Sequence, residues 1–156
     1  MQRFKKAFSM IELVFVIVVI GILAGVAIPK LAVTRDDAKI VKAKTTVSAI
    51  RNSLGMQRQK LILSGKFACN NPKLSSNSAN IFDIFKYDAD ASADCPTDDR
   101  VLNYSMPVCD GDKTGCWVMN GENYRYRLPA GGVVDFKVNN NRFECQSGAS
   151  YCKKLE

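Results

Sequence analysis

The sequence predicts an α+β fold in which one long amino-terminal helix packs on a small antiparallel β-sheet. Three stretches of the chain predict it. Residues 8–29 are apolar and almost uncharged, residues 30–63 carry apolar side chains at helical spacing, and residues 101–146 contain short segments rich in Val, Tyr and Phe between turn residues. The helix is the only long amphipathic element available to cover the sheet, so the two should share one core.

The apolar stretch 8–29 is long enough to cross a membrane as a helix. Glu12 is its only charged residue. A carboxylate at that depth costs roughly 2.5 to 3.5 kcal/mol on insertion scales, so its presence indicates a function and calls for a partner. A glutamate whose side chain extends to the lipid headgroups is the alternative.

Basic residues precede the apolar stretch, namely Arg3, Lys5 and Lys6. By the positive-inside rule they hold that end in the cytoplasm and send the remainder of the chain across the membrane. An ordinary secretory signal would have the same start, and Ala24, Gly25 and Ala27 could supply its small-residue cleavage site. Such a signal has no use for Glu12, so we favour a single-pass membrane protein.

The segment KKAFSMIELVFVIVVIGILAGVAIPK resembles the amino-terminal segment of type IV pilins and type II secretion pseudopilins. The resemblance implies a leader, residues 1–7, that a prepilin peptidase cuts between Ala7 and Phe8. It also implies methylation of the new Phe8 amine and a pilin-like fold. The family usually has Gly immediately before the cut, where this chain has Ala7.

The resemblance further implies that Glu12 pairs with the Phe8 amine of a neighbouring subunit in a filament. Pairing neutralises two charges that an apolar environment does not tolerate alone. Gly21 and Pro29 fall where related pilins lose helical hydrogen bonds on entering a filament. Close helix packing at small residues is the alternative reading of Gly21.

Pro29 predicts a bend, because its ring presses on the carbonyl of Gly25. An amphipathic helix is then predicted over 30–63, ending at Ser64 and Gly65. Its apolar stripe should face the protein's own sheet. The stripe consists of Val33, Ile40, Ala43, Val47, Ile50 and Leu54.

Residues 64–100 are predicted to form a connector with one short helix at the apolar group 81–85. Scattered acids in this connector raise the possibility of a calcium site. They lack the fixed spacing of a calcium loop, so we expect a solvated surface and no metal. The acids are Asp83, Asp88, Asp90, Asp94, Asp98 and Asp99.

The predicted strands are 101–108, 115–120, 123–128, 133–138 and 142–146, with a carboxy-terminal tail over 147–156. Six cysteines lie in this outer part of the chain: Cys69, Cys95, Cys109, Cys116, Cys145 and Cys152. An even number in an extracytoplasmic domain indicates disulfides, with fifteen formal connectivities open. We favour local pairing, 69 with 95, 109 with 116 and 145 with 152. Zinc is disfavoured because the chain has no histidine and no CxxC.

The net charge of +7 resides in residues 30–66, which hold nine basic and two acidic residues. Residues 67–156 hold ten basic and twelve acidic residues. This division suggests charge complementarity between neighbouring subunits, and a charged face exposed to solvent is the alternative. Nucleic-acid binding is not expected, because the basic helix lacks the interleaved aromatic side chains of a single-strand platform.

Without histidine the chain lacks Ser/His and Cys/His nucleophiles, and we expect neither an enzyme nor a cofactor. The resemblance implies a structural subunit of an inner-membrane machine with its head, residues 30–156, in the periplasm. It works with other pilin-like subunits and an inner-membrane assembly platform. A type II secretion pseudopilin is favoured, and a pilin of a DNA-uptake or adhesion pilus is the alternative. The rival from another class is a monomeric, membrane-tethered periplasmic binding domain.

Overall fold

The computed structural model describes residues 9–87, 95–96, 99–104 and 106–156. A 54-residue helix, α1 (Met10–Leu63), opens the described chain. Six strands follow, and a short helix closes it. These are β1 (Asn80–Ile81), β2 (Met106–Pro107), β3 (Cys116–Asn120), β4 (Asn123–Arg127), β5 (Val133–Asn139), β6 (Arg142–Cys145) and α2 (Ala149–Cys152). The arrangement is the α+β class that the sequence predicts.

The chain divides into two compact units, the first ending at Asp37 and the second beginning at Ala38. α1 contributes residues to both. The helix continues without interruption through Pro29, so the proline does not end it. The bend expected at that residue stays a prediction.

In the second unit, the apolar stripe of α1 is buried in the core. Ala43, Val47, Ile50 and Leu54 are each at most 2% exposed, and Ile40 packs partly buried against the same cluster. Their spacing of three and four residues puts them on one face of the helix. The stripe predicted from the sequence is therefore confirmed for these residues. The side chain of Val33 is not among those that the structure describes.

The end of α1 has a hydrogen-bonded cap. The Lys66 N–H donates to the Leu61 carbonyl at 2.9 Å, and the Gly65 N–H donates to the Ile62 carbonyl at 3.1 Å. Gly65 has φ of +73°, the left-handed conformation that this Schellman pattern requires. The helix thus ends at Leu63, as the sequence predicts.

A four-stranded antiparallel meander in the order β3-β4-β5-β6 provides the other side of the core. Alternate residues of β5 are buried, which is the period-two pattern of a sheet with one covered face. Aromatic side chains fill the space, and Phe136 stacks on Phe143 with ring centroids 4.9 Å apart. The β5–β6 turn has Asn140 and Asn141 at φ of 49° and 57°, the two left-handed positions of a type I′ hairpin.

The short helix predicted at 81–85 is wrong. This segment contains β1, which pairs with β2 in a separate two-stranded sheet, and an isolated bridge from Ile84 to Arg100. Phe82 adopts φ of +60°, is fully buried, and donates its N–H to the Leu74 carbonyl at 2.6 Å. Tertiary burial of the aromatic ring overrides the local helical pattern here.

The first predicted strand, 101–108, is also too long. Only Met106–Pro107 is a strand, whereas 101–104 form bends. Val101 and Leu102 are buried, and the Val101 N–H donates to the Asp83 carbonyl at 3.1 Å. Their apolar character reflects burial in an irregular segment and not strand pairing.

Asp99 ties the connector to the last turns of α1. Its carboxylate accepts hydrogen bonds from Lys60 Nζ at 2.7 and 2.9 Å and from Gln57 Nε2 at 2.9 Å. These donors lower the pKa of the Asp99 carboxyl below its ordinary value of 3.8. Asp83 is likewise engaged, accepting from the Ser76 N–H and hydroxyl. Asp88, Asp90, Asp94 and Asp98 lie outside the described residues.

Three disulfides join Cys69 to Cys95, Cys109 to Cys116 and Cys145 to Cys152. Each is the local pair that the sequence analysis favours. The first holds the connector beside the end of α1, the second closes the segment before β3, and the third holds α2 against the end of β6. Each restricts the unfolded chain within the second unit.

Replacing Ile50 by alanine should lower the free energy of unfolding by about 2 to 5 kcal/mol, because Ile50 is fully buried and the change leaves a cavity. Ile62→Ala is the matched control, since Ile62 lies on the same helix but is 46% exposed. It should cost less than about 1 kcal/mol. Denaturant unfolding of the full chain in non-ionic detergent, with disulfides intact, measures both. Equal losses would contradict the burial assigned to the stripe.

Asp99→Asn should destabilise the chain at neutral pH and make no difference in strong acid. A depressed folded-state pKa gives stability that is present above the unfolded-state pKa and lost as pH falls through the folded one. The difference between wild type and variant should therefore stay constant from pH 7 to about 5 and shrink below about pH 4. Asp110→Asn, at a side chain that is 94% exposed, is the control. A difference independent of pH would refute the assignment.

Candidate functional site

Glu12 lies in the first turn of α1. The Ser9 carbonyl accepts the N–H groups of Glu12 at 3.1 Å and Leu13 at 3.2 Å, and the helix begins at Met10. Glu12 therefore lies where free N–H groups and the positive end of the helix dipole favour a negative charge. The Ser-x-x-Glu spacing of Ser9 and Glu12 is a helix-start signal that the sequence analysis did not use.

The surface that follows Glu12 is apolar and uncovered. Met10–Ile28 has a mean hydropathy of 3.0, and none of it is buried inside the protein. Its large apolar side chains are exposed by between 37% at Val19 and 84% at Met10. A continuous apolar surface of this size is a membrane or protein contact and not a water-facing helix.

Gly21 and Gly25 form a small notch on this apolar helix. They are four residues apart, hence on one face, and a Cβ added to either would meet nothing within 4 Å. In an apolar helix, Gly-x-x-x-Gly lets a second helix approach closely. Within the described chain no side chain uses this space, so the notch is available to another molecule.

The predicted site residues are spread along one helix. Glu12 and Pro29, the outermost described ones, are about 25 Å apart along the axis at 1.5 Å per residue, so they do not form one pocket. Gly21 lies between them. Ala7 and Phe8, the predicted cleavage pair, lie outside the described residues. The structure thus places the described members of the site on one helix, with Glu12 and Gly21, nine residues apart, on opposite faces of it.

A cationic groove of about 850 Å³ lies in the second unit between α1 and the β5–β6 turn. Arg51 there donates to Glu156 Oε1 at 2.6 Å and to the Phe143 carbonyl at 3.1 Å. Arg58, Arg142 and one carboxylate, that of Glu144, also line the groove, and the two arginines form no ion pair with any described residue. Such guanidinium groups suit carboxylates and phosphates. The sequence analysis did not single out this groove, because its arginines come from distant parts of the chain.

The described residues contain no candidate metal-binding site. Across them, no group of three or more His, Cys, Asp or Glu side chains is placed to hold a metal ion. All six cysteines are in disulfides. The segment Asp110–Gly115, which has two exposed aspartates, is a turn between the half-cystines 109 and 116.

Comparison with known proteins gives two matches. Residues 2–28 match the family model of the prokaryotic N-terminal methylation motif. The chain is also 35% identical over 57 residues to the type II secretion system core protein G of Pseudomonas aeruginosa. This match covers 36% of the chain and 40% of the relative, so the chain aligns with less than half of the relative's length. No solved structure matches significantly.

The methylation motif over residues 2–28 overlaps the exposed apolar segment Met10–Ile28, and Glu12 lies in both. The motif is of the prepilin type, and the relative is a component of a type II secretion system. Together the two matches support a place for this chain in the pilin and pseudopilin family, the family that its amino-terminal segment resembles.

Proposed function

We propose that the protein is a structural subunit of a pilin-like filament, and specifically a pseudopilin of a type II secretion machine. The observation that carries the proposal is the uncovered apolar helix Met10–Ile28 with a carboxylate in its first turn. This surface needs lipid before assembly and neighbouring subunits after it. The methylation motif over the same residues supports a filament over a permanent membrane anchor.

Processing creates the partner for Glu12. A prepilin peptidase cuts between Ala7 and Phe8, and the new Phe8 ammonium of one subunit pairs with the Glu12 carboxylate of its neighbour. Within an apolar bundle each charge alone is costly, so the pair favours assembly over the isolated subunit. It also fixes the register, because a shift by one helical turn would leave both charges unpaired.

The rest of the apolar helix provides close contact between subunits. Gly21 and Gly25 let a neighbouring helix approach, and the open space beside both supports this role. Pro29 donates no backbone hydrogen bond, so the helix is weakest around it and able to unwind when packing demands a change of length.

The second unit is the periplasmic head. Its three disulfides and its core are complete within residues 38–156, which suits folding in an oxidising compartment before assembly. The leader remains in the cytoplasm and the helix in the inner membrane until an assembly platform draws the subunit into the filament. Assembly therefore does not require refolding of the head.

A secretion pseudopilin is favoured over a DNA-uptake or adhesion pilin because the curated relative belongs to a type II secretion system. The rival reading, a tethered monomer that binds a ligand, would use the cationic groove lined by Arg51, Arg58 and Arg142. It leaves Glu12 and the Gly21–Gly25 notch without a role. The two readings differ in processing and in self-association.

Intact-mass and amino-terminal analysis of the protein from its own cell's membranes tests processing. The expected chain begins at Phe8, carries one extra methyl group, and has lost two hydrogens for each of the three disulfides. Ala7→Phe is the matched variant, because a bulky residue at the cut should leave the leader attached. A wild-type chain that begins at Met1 would refute the filament proposal and favour the tethered monomer.

Glu12→Gln should insert and fold normally but reduce the amount of protein recovered in sedimented filaments by about tenfold or more, because it leaves the neighbour's ammonium unpaired. Glu12→Asp keeps the charge and should retain part of the assembly. Glu144→Gln, on the head, is the control for loss of one carboxylate and should assemble normally. Normal filament yield from Glu12→Gln, with the leader removed, would exclude the proposed pair.

A further inference from the structure

The cationic groove of the second unit is large enough to hold a segment of another polypeptide. Its volume of about 850 Å³ lies within the roughly 300 to 1,000 Å³ of ligand sites. Arg51 and Arg58 line it from α1, Arg142 lines it from the β5–β6 hairpin, and Glu144 adds one carboxylate. Three positive charges against one negative charge favour an acidic occupant.

A row of basic side chains on α1 borders the groove, and its first two members already bind an acidic residue. Lys44 Nζ donates to the Glu156 carbonyl at 2.9 Å, and Arg51 Nη2 donates to Glu156 Oε1 at 2.6 Å. The third member is Arg58, because residues seven apart lie on nearly the same face of a helix. This face of α1 therefore attracts carboxylates within the chain itself.

Arg58 and Arg142 retain donors that the described chain does not use. Arg58 Nη1 donates to the Asn140 carbonyl at 3.4 Å, which directs its guanidinium towards the β5–β6 turn. Arg142 forms no side-chain hydrogen bond or ion pair with any described residue. A guanidinium has five N–H donors in a fork that matches a carboxylate. These two arginines can therefore bind carboxylates that come from another molecule.

The sequence contains one segment whose charge complements the groove. Residues 88–98 include four acidic residues and no lysine or arginine. The four are Asp88, Asp90, Asp94 and Asp98. The next residue, Asp99, has a described position, because its carboxylate accepts from Lys60 Nζ at 2.7 and 2.9 Å. The acidic segment therefore ends beside the last turns of α1.

The groove and Asp99 lie on opposite sides of α1. Lys60, which binds Asp99, is nine residues after Arg51 and two after Arg58, which is about 180° and 200° around the helix. Along the axis, Lys60 is only about 3 Å beyond Arg58. A contact between these two sides would join different patches of two copies. Such heterologous contacts build open helical filaments when they do not close into a ring.

We propose that the groove of one subunit binds the acidic segment 88–98 of a neighbouring copy, with Arg58 and Arg142 pairing with its aspartates. The inference rests on the proposed function, because it concerns a contact between neighbouring heads of the filament. A single exposed ion pair stabilises little, but this contact repeats at every subunit. The charge complementarity expected from the sequence is thereby assigned to two surfaces.

A synthetic peptide of residues 88–98 tests the groove without filament assembly. It carries Cys95→Ser and a neutral fluorophore at its amino terminus, and its fluorescence anisotropy is followed as full-length protein in non-ionic detergent is added at low ionic strength. Saturable binding is expected. A peptide with all four aspartates replaced by asparagine should bind at least about tenfold more weakly, because charge-assisted hydrogen bonds are lost.

Reversal of the groove's charge tests both the peptide contact and the filament. Arg58→Glu/Arg142→Glu should weaken peptide binding by about tenfold or more and lower the yield of sedimented filaments several-fold. Lys113→Glu/Lys153→Glu is the matched control, since it reverses two exposed lysines that do not line the groove. The control should leave both measurements unchanged.

A charge exchange within one chain decides whether the acidic segment is the partner. Adding Asp90→Lys/Asp94→Lys to the reversed groove should restore much of the filament yield, because opposite charges again face each other. Equal peptide binding by the reversed groove and the control, or a filament yield that the exchange does not raise, would overturn the contact. A wild type that forms no filaments would refute the proposed function instead, and the peptide titration would still decide whether the groove recognises the segment.

Discussion

The structure depends on a single constraint, the apolar surface of α1, which has to be covered over nearly its whole length. From Ala43 onward the protein covers it with its own sheet and connector. From Met10 to Ile28 no described residue covers it. Because water is a poor solvent for such a surface, the first part of the helix belongs in lipid or among other helices. Glu12 adds a charge that lipid alone does not satisfy.

Both parts of α1 carry apolar surface that is unstable in water, but the surface that covers it differs between them. In the second unit, residues three and four apart form a buried stripe, and aromatic rings of the sheet fill the space opposite. Between Leu13 and Ile28, apolar residues and glycines surround the whole helix, which is the pattern of a helix with neighbours on every side. A narrow stripe predicts one partner surface, whereas an all-round apolar surface predicts a bilayer or a bundle.

Much of this was predictable from the sequence because periodicity and turn chemistry are local. The stripe, the end of α1 at Gly65, and the strands from 116 to 145 follow from such patterns. The β1–β2 pair was not predictable, because Phe82 takes a left-handed conformation only to place its ring in the core. The Asp99 anchor and the groove lined by Arg51, Arg58 and Arg142 join residues far apart in sequence, and no local pattern encodes such contacts.

The hydrophobic core of the second unit does not include the apolar segment Met10–Ile28. The buried apolar residues of the described chain begin at Ala43, and the disulfides begin at Cys69, so the head's stability does not depend on Glu12. Under the proposed function, a substitution at Glu12 changes association without a parallel loss of folding, whereas a substitution at Ile50 lowers the stability of the head. In the proposed filament subunit, this division would make the folded state of the head independent of its assembly state.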